Sequence, residues 1–372
     1  MSSPATVTGT GRTSAIVATR TSSPPDLTRS CRGSRRRRYR EVPGEHRGAD
    51  GYRGDVIAAY AARFAPDDPV SALEVGERPE PEARQHWTTV DVRAASLNHH
   101  DLWSLRGVGL REQQLPMILG TDAAGVTPDG REVVVHGVVD GHGVGPDEPR
   151  TLLSERYPGT LAERVAVPTW NLVDKPAELS WHEAACLPTA WLTAYRMLFV
   201  VGGATPGSRV LVQGAGGGVA TAAVVLGAAA GVEVIVTGRD PERRERALRL
   251  GAAAAVEPGA RVPRVDIVLE TVGRATWSHS MRSVKAGGAI VVAGLTTGDP
   301  SPAELTRVFF HEVRVLGVTM GRKEDLEHLL AFVARTGVRP PVDSVHRLAD
   351  ARTAMACLAS GEHVGKVVVE VV

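Results

Sequence analysis

The 372-residue sequence predicts an α/β protein in which a doubly wound parallel sheet is joined to a smaller β-rich domain and preceded by a basic, disordered extension. Three observations predict this. Ser208 to Asp240 reads as strand, glycine turn, helix and strand within about thirty residues, the size of a βαβ nucleotide-binding unit. Upstream of it, short β-branched runs alternate with proline-bearing turns. Before residue 54 neither pattern occurs.

Residues 1–53 hold 11 Arg, no Lys and 4 acidic residues, with Arg35 to Arg38 in one run. Without hydrophobic periodicity this segment cannot bury enough apolar surface to offset its ordering entropy. Three explanations compete for it: an extension upstream of the true start, which leads, a transit-like peptide, and a basic arm for polyanions. The remaining chain is mildly acidic, with 32 basic and 38 acidic residues, so the folded body has no charge signature of a nucleic-acid partner. Cys31, Cys186 and Cys357 are far apart and odd in number, which excludes a disulfide framework or a cysteine-rich zinc lobe and suits the cytoplasm. No apolar run is long enough to span a membrane.

From Asp55 the texture changes. Val56 to Ala61, Ala72 to Gly76 and Trp87 to Arg93 read as strands, separated by turns at Pro66 to Pro69 and Pro79 to Pro81. Glu132 to His136 and Ala162 to Val167 add two more, flanking a loop from Gly137 to Pro158. These runs describe a compact, barrel-like unit.

The nucleotide unit begins with the strand Arg209 to Gln213. Glycines follow at Gly214, Gly216, Gly217 and Gly218, and Val219 to Gly231 reads as a helix of small side chains. Such a turn lets backbone approach a pyrophosphate, which the N–H groups and dipole of the helix start favour. The pattern departs from G-x-G-x-x-G, because Ala215, Gly217 and Ala220 stand at the matching positions. After the strand Val232 to Thr237 there is no acid for a ribose 2′-hydroxyl. Gly238 makes room instead, and Arg239 with Arg243 or Arg244 offers guanidinium groups to a 2′-phosphate, so NADPH is the expected cofactor. The alternative for Arg243 and Arg244 is the solvated face of the helix Pro241 to Leu250.

Val265 to Glu270, Gly288 to Ala293 and Val313 to Met320 read as further strands. Gly273, Gly294 and Leu295 lie just past strand C-termini, where open α/β sheets bind ligands. A helix from Glu324 to Arg335 and a strand from Val364 to Val371 close the chain.

Five stretches occur in an order that resembles the medium-chain dehydrogenase/reductase superfamily: Ser96 to Trp103, Leu119 to Val126, Gly159 to Arg164, Leu187 to Tyr195 and the glycine-rich unit. The resemblance is nearest to the zinc-free, quinone-oxidoreductase-like branch. It implies a GroES-like catalytic domain formed by residues 54–176 and 320–372 around a Rossmann domain of residues 177–319, with the active site between them. It also implies cofactor contacts by Thr193, Ala215, Gly216, Gly217, Gly218, Val219, Gly238, Arg239, Arg243, Gly273, Gly294 and Leu295. Asn98 would lie beside nicotinamide and substrate oxygen, and the strand Val313 to Met320 would pair two copies into a homodimer.

Zinc-dependent members carry Cys, Gly-His-Glu and Cys or Asp in the first, second and fourth stretches. Here Asn98, Thr121 with Asp122, and Thr189 stand there, which are poor zinc ligands. A counter-set of His99, His100, Asp122 and Cys186 has suitable ligand types, but two adjacent histidines on a strand would face opposite ways. No metal is expected. Polarisation of a carbonyl then falls to hydrogen-bond donors, which suits an enone, quinone or other activated carbonyl as the small-molecule substrate. Thr121 would fill the space of the missing ligand, His99 or His100 would give the proton, and Trp103 and Trp191 either wall the pocket or belong to the core. Asp101 is expected to cap the helix that follows. A zinc-independent alcohol or enoyl-thioester reductase, and a non-catalytic NADPH-binding sensor, are the alternatives.

Overall fold

A computed structural model describes residues 55–140, 150–300 and 302–371; the extension expected over residues 1–53 lies outside the described residues. The chain first forms β1 (Val56–Ala61) and β2 (Leu73–Arg78), which pair antiparallel. Next come β3 (Trp87–Ser96), α1 (His99–Leu105), β4 (Met117–Ile118), β5 (Asp122–Val126) and β6 (Glu132–Val135). The expected loop of residues 137–158 contains two short strands, β7 (Val138–Val139) and β8 (Thr151–Leu152), paired with each other. β9 (Arg164–Pro168) and β10 (Leu172–Asp174) complete this first pass. His99 and His100 open a helix and not a strand, because the Asp101 carboxylate reaches back to accept from the Asn98 N–H at 2.8 Å and closes the first turn. Asp101 thus serves the helix start, as the sequence suggests.

The chain then crosses in one long helical stretch. α2 (Trp181–Ala185) and α3 (Leu192–Tyr195) are joined by a wide π turn over Leu187–Trp191, and another π turn covers Arg196–Val200. Pro188, which has no N–H for the helix ladder, sits in the first of these turns.

β11 (Arg209–Gln213), α4 (Gly218–Ala229), β12 (Glu233–Thr237), α5 (Pro241–Arg249), β13 (Ala254–Val256) and β14 (Val265–Glu270) follow. α6 (Trp277–Ser283), β15 (Val284–Val292), α7 (Leu305–Phe310) and β16 (Arg314–Gly317) finish the parallel sheet. Its order is β13-β12-β11-β14-β15-β16, so the winding reverses between β11 and β14, where such sheets bind nucleotides. The strand expected over residues 313–320 is only four residues long, with the Val318 N–H beyond it still donating to the Val292 carbonyl at 2.9 Å.

α8 (Lys323–Thr336) packs Leu326, Leu329, Leu330 and Val333 into the core that also holds the β11, β12 and α4 side chains. β17 (Val342–Arg347), α9 (Ala351–Ser360) and β18 (Lys366–Glu370) rejoin the first pass. β18 pairs antiparallel with β3 and parallel with β17, in the sheet β10-β6-β5-β3-β18-β17. A second apolar core, with Val92, Leu97, Leu161, Val165, Val367 and Val369, fills this domain. Among the described residues, no helix is long and apolar enough to cross a membrane.

Candidate active site

The glycine turn lies at the reversal point of the parallel sheet. Gly214 adopts φ +114°, a conformation side chains rarely take, and turns the chain out of β11. Gly217 caps α4, and a side chain built on it would meet nothing within 4 Å, so the helix start is an open cradle. Gly216 is closed in: a Cβ there would come 2.9 Å from the Arg243 side chain and 3.3 Å from the His363 carbonyl. Gly218 faces the Lys366 side chain, 3.0 Å from where its Cβ would stand. Gly365 N–H donates to the Gly216 carbonyl at 2.9 Å, so the segment entering β18 is fastened to the turn. Ala215 is buried, Val219 half-buried in the first turn of α4, and Thr193 buried on α3.

Under the turn runs a buried polar chain. Thr237 Oγ1 accepts from Gly214 N–H and donates to Gln213 Oε1. Gln213 Nε2 in turn donates to Ser280 Oγ at 2.9 Å, and Ser280 donates to Glu270 at 2.7 Å. Glu270, fully buried, also accepts from the N–H groups of Val272 and Gly273. This holds the loops after β11, β12 and β14 to one another. Gly273 has φ +88° and lies against Leu295, which is partly exposed beside Gly294.

At the end of β12, Gly238 approaches Ala215 so closely that a Cβ would stand 2.9 Å from the Ala215 methyl. The arginines divide. Arg243 donates to the Gly361 carbonyl and lies 3.5 Å from Asp240, and Arg244 donates to the Gly238 carbonyl at 2.7 Å. Arg239 is exposed, and its side chain makes no ion pair or hydrogen bond among the described residues, while its carbonyl accepts from Arg244 at 3.2 Å. Asp240, the one acid here, accepts from Glu242 N–H at 2.8 Å and caps α5.

Beside the turn, the first, second and fourth stretches meet. Thr121 Oγ1 is 2.9 Å from Thr189 Oγ1, and Asn98 Nδ2 is 3.4 Å from Thr121 Oγ1. Asp122 Oδ2 accepts from Asn98 at 2.9 Å and from Ser96 at 2.7 Å. Lys366, at the start of β18, completes the cluster by donating to Asn98 Oδ1 at 2.6 Å, to the Leu97 carbonyl at 2.8 Å and to Asp122 at 3.4 Å. The Lys366 and Asp122 side chains are 2% and 0% exposed. The sequence reading passed over Lys366, although a single cation in the run Val364 to Val369 was a visible signal.

The two histidines part company. His100 is 3.1 Å from Glu155 and 3.4 Å from Ser154 Oγ; burial opposes its charge, but Glu155, Asp101 and Asp122 outweigh it and raise the pKa. His99 is exposed and forms no hydrogen bond among the described residues, and its pKa is lowered by the crowding of protein around it, by Lys366 and by Arg106. Trp103 is half-buried with the Arg106 guanidinium 5.2 Å from its ring centroid, whereas Trp191 is fully buried core. Burial pushes the Cys186 thiol up to about 12, which keeps it neutral and unsuited to ligation. His99 and His100 begin a helix, so the strand geometry invoked against a His-pair metal site does not apply. Among the described residues, however, His, Cys, Asp and Glu nowhere gather in threes fit to hold a metal ion.

Comparisons with known proteins bear on this arrangement. Residues 84–177 match the alcohol dehydrogenase GroES-like domain, and residues 218–335 match the family described as zinc-binding dehydrogenase. The chain is similar to a crotonyl-CoA carboxylase/reductase of Cereibacter sphaeroides, 28% identical over 312 residues that cover 67% of this chain and 72% of that protein. It is also similar to an acryloyl-coenzyme A reductase of Sulfurisphaera tokodaii, 25% identical over 328 residues, 81% and 97% of the two chains. A solved NAD-dependent alcohol dehydrogenase is 30% identical, with a TM-score of 0.77, over 85% of this chain and 100% of that one.

Proposed function

The chain belongs to the medium-chain dehydrogenase/reductase superfamily, and on that premise we propose that it is an NADPH-dependent, zinc-independent reductase of α,β-unsaturated carbonyl compounds. The observation that carries this reading is the meeting of Asn98, Thr121 and Thr189 beside an open glycine turn. Enoyl thioesters, named in two of the curated relatives, are the first substrate class to test, with enones and quinones after them.

The residues fit a dinucleotide. Gly217 leaves the α4 start open to a pyrophosphate, and the N–H groups there favour its charge. The Arg239 side chain is free among the described residues to pair with a 2′-phosphate, while Asp240 caps α5 through Oδ1 and turns Oδ2 toward Arg243 at 3.5 Å. When bound, the dinucleotide supplies the two electrons and hydrogen of the reduction.

Zinc does not fit the donor set. An amide and two hydroxyls replace thiolate and imidazole, and the Lys366 ammonium 2.6 Å from Asn98 Oδ1 already puts a positive charge at that side. The chain's own residues then do three things: the glycine turn orients the cofactor, the buried cluster presents hydrogen-bond donors to the acceptor's oxygen, and the apolar surroundings strengthen those bonds by excluding water. His99 is exposed, and its lowered pKa leaves it a poor proton donor at neutral pH, so the proton of the reduction is taken from solvent. We further propose that two copies associate through β16.

The test is a titration with NADPH and NADH, followed by turnover of crotonyl-CoA, an enone and a quinone and by metal analysis of the same sample. NADPH preference with crotonyl-CoA reduction and no stoichiometric zinc supports the reading. NADH preference or stoichiometric zinc overturns it.

A further inference from the structure

We propose that the Thr189 hydroxyl is the donor that receives the developing negative charge on the acceptor's oxygen, and that Lys366 aims it there through Asn98 and Thr121. This deepens the reductase reading and rests on it.

The direction of the chain follows from what each group is able to do. An ammonium only donates, so Asn98 must turn its oxygen, and not its nitrogen, to Lys366 at 2.6 Å. The Asn98 amide nitrogen is thereby fixed on the other side, toward Asp122 at 2.9 Å, with Thr121 Oγ1 and the Ser96 carbonyl sharing its second hydrogen at 3.4 Å each. Both its hydrogens are engaged, so Asn98 has none left for a substrate. Thr121 is fully buried and accepts from Asn98, and its own proton has one acceptor, Thr189 Oγ1 at 2.9 Å. The reverse direction would strand a buried O–H without a partner, which costs about 1–3 kcal/mol.

Thr189 therefore accepts, and its own proton has no acceptor among the described residues. It is also the one member of the chain that is only partly buried, in the π turn Leu187–Trp191, a departure from α-helix that recurs at functional sites. Lys366 is one of four lysines among 43 basic residues, so a lysine stands where this arginine-rich chain would by habit place arginine. Its three N–H groups match the three acceptors Leu97 O, Asn98 Oδ1 and Asp122 Oδ2.

In a conjugate reduction, hydrogen with its electron pair leaves the nicotinamide and bonds to the β-carbon, and the π electrons move onto the carbonyl oxygen. A solvent proton then completes the α-carbon. Thr189 transfers nothing; it is polarised in advance toward the oxygen that gains the charge, and Lys366 is a positioning residue.

Two measurements test the relay. In a Cys31→Ser background, the thiol of Thr189→Cys is expected to react with iodoacetamide, and adding the charge-neutral pair Lys366→Met/Asp122→Asn should slow that reaction at pH 7 about tenfold by raising the thiol pKa. A thiol that does not react, or reacts equally with and without Lys366, overturns the proposal without reference to turnover. In the otherwise native chain, Thr189→Val should lower kcat for crotonyl-CoA about 100-fold or more at unchanged NADPH affinity, and Thr189→Ser should restore most of it. Thr189→Val at native kcat overturns the relay and leaves the reductase reading standing. A native protein that binds NADPH but reduces no acceptor overturns the reductase reading, and the thiol measurement alone then decides the relay.

Discussion

His363 lies in the segment that fastens β18 to the glycine turn, and its Nδ1 is buried with no hydrogen-bond partner among the described residues. Burial, then His99, Lys366 and Arg243, push its pKa down to about 4 against the opposing charge of Asp343. An unfolded histidine binds its proton near pH 6.5, so between about pH 6.5 and 4 the unfolded state holds the extra proton and stability falls as the pH falls. Urea denaturation should find the native protein losing about 3 kcal/mol over that interval from this group. His363→Gln should flatten the acid limb by the same amount; an unchanged limb would mean that another group sets it. At this scale the sequence offers Asn98 and Thr121 from local motifs, and Thr189 only as the residue standing at a zinc-ligand position. Lys366 was not, because its partners lie 268 and 244 residues away along the chain and no local pattern encodes that pairing. Arg243 illustrates the same limit: beside the phosphate role its spacing suggests, it donates to the Gly361 carbonyl of the returning segment, which no local pattern encodes.

The elements that sequence periodicity located best are those with one continuous apolar run. β1, β11 and β14 have the bounds read from the sequence, Val56–Ala61, Arg209–Gln213 and Val265–Glu270. β13, β17 and α9 were passed over, since their partly buried or alanine-rich runs carry little contrast between faces. The π turns around α3 were also invisible, because they arise from how Pro188 and the packed helix accommodate each other. Gly238 gives a test at this level. The sequence assigns it to making room for a phosphate; a Cβ there would also stand 2.9 Å from the Ala215 methyl, so Gly238 spaces β12 from the glycine turn as well. Gly238→Ala should therefore weaken NADPH and NADH binding alike, about tenfold, and cost about 1–3 kcal/mol of stability as an overpacked contact. Titration with both cofactors separates this from a pure 2′-phosphate effect, which would spare NADH.

On the scale of the whole molecule, the parallel sheet ends at β16, whose outer edge pairs with no strand among the described residues, and Val315 in that strand is exposed. Leu305, Phe309 and Phe310 on α7 are exposed nearby in sequence, a large apolar group for a surface left in water. Light scattering after size exclusion is expected to give twice the chain mass, and Val315→Lys to shift the population to the single chain. A native monomer would remove the association through β16.

The sheet that contains the candidate site places β18 between β3 and β17, so Lys366 meets Leu97 across 269 residues of chain. During synthesis at about 5–20 residues per second, β3 must wait roughly 15 to 50 seconds for that neighbour. The strands β11 to β16 need no such delay, because all their partners emerge within one continuous stretch. The nascent chain is thus expected to close the parallel sheet before β3 meets β18, and a ribosome that stalls before Lys366 holds a chain in which Asn98 and Asp122 lack their buried cation.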